Sequence, residues 1–546
     1  MSTRKKFKAE ALRKENNKLS PLKSIVETAF YGNNVHKVTT MKEAYELALE
    51  QPHTIVLDKE VAHAEELGLP KGAKIIVDNG SSIVGRTARA RKIYGKDAQE
   101  DPKLLKVAMD AVYEASKRPF LEGEAIIGLD EEFMVRAHLL VPENQANNLY
   151  SWLTNFQIFD EEYKERYEKS TEYDENDVYI FTDPSWKHKD YPDGLAYFDT
   201  KRNVAIILGL QYFGELKKGT LTLGWGTAAR QGYAVAHGGL KRFVRDDEAS
   251  HVTAFFGLSG SGKSTLTHAK HDDKYDITVL HDDAFIIDQE DGSSIALEPS
   301  YFDKTNNYPT GHPEQDYFVT VQNVGVTTDI EGNRVLVTED IRNGNGRTVK
   351  SRYSTPNRVD IVQKPIDAIY WIMKDDTMPP IIRVKDATVA SAMGCTLVTK
   401  RSSAENVKNV GEVVVEPYAN PFRVYPLVND YEAYKTLFEE KGVECYIINT
   451  GKFMDKDIPP HVTLGSIENN VDNKDGFVPF DGIEEFEYLP IEGYEIPFDD
   501  PAYRKQLKEN MEVRVMHLQT TLAKEEAPND LPAEIAESIQ KIVDQI

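Results

Sequence analysis

Residues 252–269 read VTAFFGLSGSGKSTLTHA. Val252–Phe256 is an apolar run as long as one buried strand. Gly257–Ser264 then reads G-L-S-G-S-G-K-S, which meets G-x-x-x-x-G-K-[ST] at every fixed position. The pattern has a physical basis. Glycines let the backbone curl until several N–H groups face one anion, and the following helix adds the positive end of its dipole. Gly257, Leu258, Ser259, Gly260, Ser261, Gly262 and Thr265 are therefore expected to wrap a phosphate chain. Lys263 should reach its β- and γ-phosphates, and Ser264 should hold a metal ion. A plain Gly/Ser turn with a stray lysine would need neither the strand before nor the helix-compatible run after. The chain is expected to handle a nucleoside triphosphate, or something phosphorylated like it.

Downstream of this loop, Ile277–Leu280 is a second apolar strand, ending in 281-HDD-283. An aspartate at the end of a strand, about twenty residues past a phosphate loop, is placed to coordinate the metal. Further on come Glu298 and Lys304 in 298-EPSYFDK-304, and Arg352 in 347-RTVKSRYSTP-356. Upstream, His237 sits among small residues in YAVAHGGLKR, and a lone histidine is more often structural than a ligand. In 212-YFGELKKG-219, read as a strand, Lys217 and Lys218 would point to opposite faces. Alone, such a pair is usually solvated. Arg86, Arg89 and Arg91 lie close together in 74-KIIVDNGSSIVGRTARARKIYG-95, which reads as strand, Asn-Gly turn, strand and corner. They are either a basic surface loop or part of an anion site.

Chain length and composition bound the reading. A chain of 546 residues exceeds one core, so two or more domains are expected. A net charge of −24 argues against a nucleic-acid partner. Two cysteines, Cys395 and Cys445, give no disulfide framework and suit a reducing, cytoplasmic location. No apolar run reaches the length of a membrane span. Met1–Lys18 is basic and polar without an apolar core, so it reads as a solvated arm rather than a secretory signal. The remainder mixes helical periods (40–50, 103–117, 144–155) with strand-length runs (Val178–Thr182, Asn203–Leu208, Ala368–Met373, Glu444–Ile448). The chain closes on the amphipathic 531-LPAEIAESIQKIVDQI-546, expected to dock on the body. The fold class is α/β, mixed α+β.

The order and spacing of these pieces resemble the ATP-dependent phosphoenolpyruvate carboxykinase family. That family carries a G-R-S-P corner, Y-x-G-E-M-K-K-G, a histidine about twenty residues on, G-L-S-G-T-G-K-T-T, G-D-D-E, an E-G-G-C-Y-A-K block and an arginine before a Y-P-type turn. The counterparts are Gly85–Arg86, Tyr212–Gly219, His237, Gly257–Thr265, Asp282–Asp283, Glu298 with Tyr301 and Lys304, and Arg352. They run collinearly over roughly 75–365. Residues 380–460 match loosely, with Arg383 and 449-NTG-451 as partial echoes, and the first seventy and last eighty residues not usably. Three departures stand out. Ala284 replaces the glutamate after the Asp pair, E-P-S-Y-F-D-K replaces E-G-G-C-Y-A-K, and 452-KFMDKDIPPHV-462 has Asp457 nearest the place of the family's base-side arginine.

The resemblance implies a two-lobed fold, with 1–245 as substrate lobe and 246–546 as phosphate-loop nucleotide lobe. It implies conversion of oxaloacetate and ATP to phosphoenolpyruvate, ADP and CO2. Lys218, His237 and Asp283 would hold Mn²⁺, a donor set that suits this ion. Ser264 and the nucleotide phosphates would hold Mg²⁺. Arg86 and Arg352 would clamp the dicarboxylate, Tyr212 would contact its carboxylate edge, and Lys217 and Lys263 would neutralise the γ-phosphoryl. Glu298 and Lys304 would lie on the nucleotide side. The altered base-side segment leaves GTP or inosine triphosphate open beside ATP. Two other readings stay open: a kinase of this fold acting on another acceptor, and a nucleotide-binding regulator without turnover. A monomer is favoured.

Overall fold

Val178–Asp183 and Val204–Leu208 run side by side in parallel, with Val204 opposite Tyr179 and Leu208 opposite Asp183. Every residue of both strands is buried, which is why the sequence shows unbroken apolar runs there rather than alternation. They form the middle of an eight-stranded mixed sheet with Val35–Val38, Arg91–Ile93, Phe120–Asp130, Phe133–Pro142, Gln157–Ile158 and Leu195–Asp199. Helices Pro21–Ala29 and Asp101–Ala115 pack on it, burying Leu22, Val26, Leu104 and Ala108 with Tyr179 and Ile206. The computed structural model describes residues 19–79, 90–258, 260–338, 346–400, 413–474, 476–522 and 531–546. Arg86, Arg89 and Ser259 lie outside them.

The chain divides into two units, but not by one cut near 245. The first holds the described residues up to Thr227 and those of 297–356, and the second holds Ala228–Ala296 and the described residues from Asn357 onward. The reason lies in a five-stranded sheet of the first unit, ordered Tyr301–Lys304, Arg347–Lys350, Phe318–Gln322, Lys74–Asp78, Thr54–Glu60. Lys74–Asp78 finds its parallel partner in Phe318–Gln322, with Ile76 opposite Thr320. Strand pairing between segments far apart in sequence has no local signature.

The lysine pair also departs from expectation. Phe213–Arg230 is an eighteen-residue helix, not a strand, so Lys217 and Lys218 are about 100° apart on its surface. Nearly all of this helix is buried, and a helix buried all round carries no amphipathic stripe to read. Gly224 brings it against the large sheet: a Cβ there would lie 2.9 Å from Ile127 Cγ2.

The second unit is built on an eleven-stranded sheet. Its long strand Tyr233–Val244 pairs antiparallel with Ser250–Phe256 on one side and with Asp276–His281 and Ala284–Asp288 on the other. Ser250–Phe256, Ala368–Met373 and Glu444–Asn449 then run parallel. Phe255, Tyr370, Ile372 and Ile448 form the core with Leu266 and Ile467. The amphipathic segment near 531–546 forms helix Ala533–Gln545, which buries Ile535, Ile539, Ile542 and Val543 and packs on helices Ala387–Cys395 and Pro501–His517. Among the described residues no helix is long and apolar enough to cross a membrane.

Candidate active site

The phosphate loop leaves the C-terminal end of Ser250–Phe256 and enters helix Lys263–His268, the end of a strand where open α/β sheets bind ligands. Gly262 is held at φ +100°, where a side chain would be strained. A Cβ on Gly257 would stand 2.3 Å from Ser261 Oγ and 3.0 Å from Ile372, so only glycine lets the loop lie this close to the neighbouring strand. Two side chains hold the loop from outside. Thr450 Oγ1 donates to the Ser261 carbonyl at 2.6 Å, and Lys374 Nζ donates to the Gly260 carbonyl at 3.0 Å. Ser264 and Thr265 are exposed, whereas Lys263 is buried with its Nζ 3.4 Å from Asp283 Oδ1.

That aspartate also faces His237, whose Nε2 is 3.0 Å from Asp283 Oδ1. His237 Nδ1 meets the carbonyl of Ala419. A carbonyl can only accept, so Nδ1 carries the hydrogen and Nε2 is the atom presented to Asp283. Tyr418 and Ala419 both have left-handed backbones, φ +51° and +53°, an uncommon conformation that here delivers the carbonyl to the ring. Two acceptors, Nε2 and Oδ1, share one short contact, which requires a cation between them: a proton or a metal ion. Ligands about 2.1 Å from an octahedral ion and at right angles stand about 3 Å apart, so the pair fits a divalent ion. His281 shapes the turn that aims Asp283: its Nδ1 accepts from the backbone N–H groups of Asp283 at 3.0 Å and Ala284 at 3.2 Å. Asp282 is turned elsewhere, 3.4 Å from His268 Nε2. Burial alone would push its carboxyl up, but the hydrogen bond and charge of His268 prevail and hold it well below the usual carboxylate range.

The first unit gathers the other predicted residues. Glu298 is fully buried, with Asn155 Nδ2 donating to Oε2 at 2.6 Å and Lys217 Nζ 2.8 Å from Oε1. Its carboxylate is engaged by Asn155 and Lys217 of the same unit. Lys217 is itself fully buried. Lys218 Nζ stands 5.8 Å from the Trp225 ring, within cation–π range. Tyr212 is buried beside Phe302 and Arg347; burial pushes its phenol up, against the lowering pull of Arg347. Burial, then the charge of Arg347, lowers the Lys304 ammonium to about 8. Arg352 opens a short 3₁₀ turn and lines a cavity of about 550 Å³ with Tyr353, Ser300 and Thr154. Arg91 is paired with Glu215 at 3.4 Å and lies over Phe198, so this member of the arginine cluster is not a solvated loop residue.

Lys263, His237 and Asp283 thus converge in the second unit, while Lys217, Lys218, Tyr212, Glu298, Lys304 and Arg352 belong to the first. The sequence reading missed the carbonyl of Ala419, the ring of His281 and the side chain of Lys374, because no local pattern announces a backbone acceptor or a supporting imidazole. It also missed a buried polar cluster in the first unit. Glu122, Glu124 and His138 have ligand-type atoms close together, and His138 Nε2 is 3.4 Å from Asp177 Oδ2. Lys37 and Arg136 already pair with its carboxylates, which makes it an ion-pair network.

The sequence model of the phosphoenolpyruvate carboxykinase family matches residues 94–458 of the chain, well over half of it. The chain is 28% identical over 306 residues to the phosphoenolpyruvate carboxykinase (ATP) of Aeropyrum pernix, covering 52% of this chain and 60% of that protein. It is 40% identical over 67 residues to the glycosomal phosphoenolpyruvate carboxykinase (ATP) of Trypanosoma brucei brucei, 12% of this chain and 13% of that protein. To the phosphoenolpyruvate carboxykinase (ATP) of Dictyostelium discoideum it is 31% identical over 105 residues, 18% of each. The matched stretch therefore spans about three fifths of the Aeropyrum pernix relative and under a fifth of the other two. With the family match running through the lysine helix, the histidine strand, the phosphate loop and Asp283, the chain belongs to the ATP-dependent phosphoenolpyruvate carboxykinase family.

Proposed function

We propose that the chain converts oxaloacetate and a nucleoside triphosphate to phosphoenolpyruvate, CO2 and the nucleoside diphosphate. The observation that carries this reading is the meeting of Lys263 Nζ, Asp283 Oδ1 and His237 Nε2 at the end of the phosphate loop. Decarboxylation of oxaloacetate leaves an enolate whose oxygen attacks the γ-phosphorus while the bond to the β-phosphate oxygen breaks. Both steps gather negative charge in a small space, and preorganised cations stabilise such charge most effectively. Lys263 lies against the transferring phosphoryl, and the loop amides hold the phosphates behind it. Arg86 and Arg352 orient the two carboxylates, and Tyr212 contacts a carboxylate edge. Lys217, held by Glu298, adds positive charge on the phosphoryl side.

His237 and Asp283 would hold a divalent ion, Mn²⁺, with Lys218 as the third protein ligand. Ser264 would hold a second ion, Mg²⁺, with the nucleotide. Such ions supply Lewis-acid charge at the reacting oxygens when bound. ATP is the nucleotide, with GTP or inosine triphosphate used at least comparably. The support is Asp457, an exposed carboxylate near the loop's 449–451 neighbour, which can accept hydrogen bonds from guanine N–H groups. One such contact discriminates by about 1–3 kcal/mol. We place the reaction in the cytosol, in keeping with the buried thiols of Cys395 and Cys445, and in a monomer. The test is phosphoenolpyruvate formation from oxaloacetate with ATP, GTP and inosine triphosphate, with and without Mn²⁺. Metal-dependent phosphoenolpyruvate formation is expected. Its absence with all three triphosphates overturns the reading, and an ATP preference of about a hundredfold or more overturns the shift in base preference.

A further inference from the structure

Helix Pro501–His517 lies beyond residue 458, where the family match ends. Tyr503, Asn510 and Arg514 are spaced by seven and four residues and so share one face. All three reach one turn, 375–378, which follows strand Ala368–Met373. Arg514 is fully buried, and its Nη2 donates to Asp375 Oδ2 at 3.0 Å while Nη1 donates to the Thr396 carbonyl. Asn510 Nδ2 donates to Asp375 Oδ1 at 2.9 Å, and the Tyr503 hydroxyl donates to the Thr377 carbonyl at 3.0 Å. Asp375 Oδ1 also accepts from Thr377 N at 3.1 Å and Thr377 Oγ1 at 2.7 Å. Oδ1 thus accepts from three donors and Oδ2 from Arg514, so the carboxylate ties the helix to the turn.

The turn passes this order on to the phosphate loop along two arms. Lys374, just before it, donates to the Gly260 carbonyl. Asn449 Nδ2 donates to the carbonyls of Asp375 at 2.8 Å and Met378 at 2.7 Å, and the adjacent Thr450 donates to the Ser261 carbonyl. A peptide unit is planar, with C=O and N–H pointing in opposite directions. Fixing the Ser261 carbonyl on Thr450 therefore aims the Gly262 N–H the other way, as an anion-binding loop requires.

We infer that helix Pro501–His517, through Arg514, Asn510 and Tyr503, is a positioning element for the phosphate loop, so that nucleotide affinity depends on residues that touch no nucleotide. The inference rests on the reading of the loop as a nucleotide site, and it does not need the decarboxylation.

The test uses the full chain and ATP with Mg²⁺, with binding measured by calorimetry beside steady-state kinetics and thermal unfolding. Arg514→Met alone strands a buried carboxylate, so the double variant Arg514→Met/Asp375→Asn, which removes both charges, is the principal probe. Asn510→Ala is the milder one. The double variant is expected to unfold within a few degrees of the parent. Its ATP dissociation constant and nucleotide KM should rise roughly tenfold or more, the scale of lost supporting contacts, with the oxaloacetate KM unchanged. Asn510→Ala should shift the nucleotide values in the same direction by less. A folded double variant that binds ATP within about twofold of the parent overturns the proposal. So does a loss shared equally by nucleotide and oxaloacetate, the mark of general damage. A parent that binds ATP but forms no phosphoenolpyruvate refutes the activity and leaves this test intact; a parent that binds no ATP overturns both.

Discussion

A histidine whose Nδ1 is committed to the Ala419 carbonyl presents only Nε2 to Asp283, 3.0 Å away. The same geometry serves a metal ligand or a protonated structural histidine, and the two readings predict different metal dependence. His237→Gln and Asp283→Asn should each fold normally and raise the Mn²⁺ concentration that gives half-maximal rate. Titration of activity with Mn²⁺ decides the matter; unchanged half-saturation in both variants returns His237 to a structural role. Lys263 makes a second prediction. Its ammonium sits at the start of a helix, 3.4 Å from Asp283 Oδ1. Lys263→Ala should therefore cost rate rather than fold, by about 10²-fold or more, the scale of one preorganised electrostatic group. Near-parental turnover in the folded variant would falsify that role.

At the level of elements, the buried helix Phe213–Arg230 carries its consequences through one pair. Lys217 and Glu298 have no exposed surface, so removing either charge strands the other at a cost of about 3–5 kcal/mol. Lys217→Met and Glu298→Gln should each lower the denaturant midpoint, and the double variant should recover most of it. If Lys217 also acts on the phosphoryl group, the double variant recovers stability but not rate, whereas recovery of both would show the pair to be purely structural. Lys304, on strand Tyr301–Lys304, gives a pH dependence. Its folded value is about 8 against 10.5 for a free lysine, lowered by burial and then by Arg347. Below about 8 both folded and unfolded chains carry the proton. Between 8 and 10.5 the unfolded chain binds more, so this group makes stability rise with pH in that window. Denaturant midpoints across the window should climb more steeply in the parent than in Lys304→Met, and identical slopes would refute the assignment.

These elements also show what was legible in the sequence. The strand, turn and helix around 250–268 were readable because a glycine-rich motif between an apolar run and a helix former fixes residues at fixed spacing. Strands such as Val204–Leu208 were readable because burial on both faces forces an apolar run. The lysine helix was not: a helix buried all round loses its period, and Gly219 imitates a stop signal. Nor did Glu298 announce that Lys217 and Asn155 would enclose it, since that contact closes over eighty residues of chain.

At the scale of the whole molecule, the crossings of the chain between its units matter more than the number of units. Cutting at 245 would separate Lys74–Asp78 and Thr54–Glu60 from three of the five strands of their sheet, and would leave Lys74–Asp78 without its parallel neighbour Phe318–Gln322. The same cut removes Tyr233–Val244 from the second unit, where that strand pairs with Ser250–Phe256, Asp276–His281 and Ala284–Asp288 at once. Each fragment would expose unpaired strand edges beside apolar surface, the condition that favours aggregation over folding. Residues 1–245 and 246–546 expressed separately are therefore expected to be insoluble, or to lack fixed tertiary packing, and the second fragment to bind no ATP although it contains the entire phosphate loop. Near-ultraviolet circular dichroism, a denaturant titration and ATP calorimetry on each fragment check this. A fragment that unfolds cooperatively with parental near-ultraviolet signal would show that the returning segment 297–356 or the strand Tyr233–Val244 is dispensable, and that the two units are separable after all.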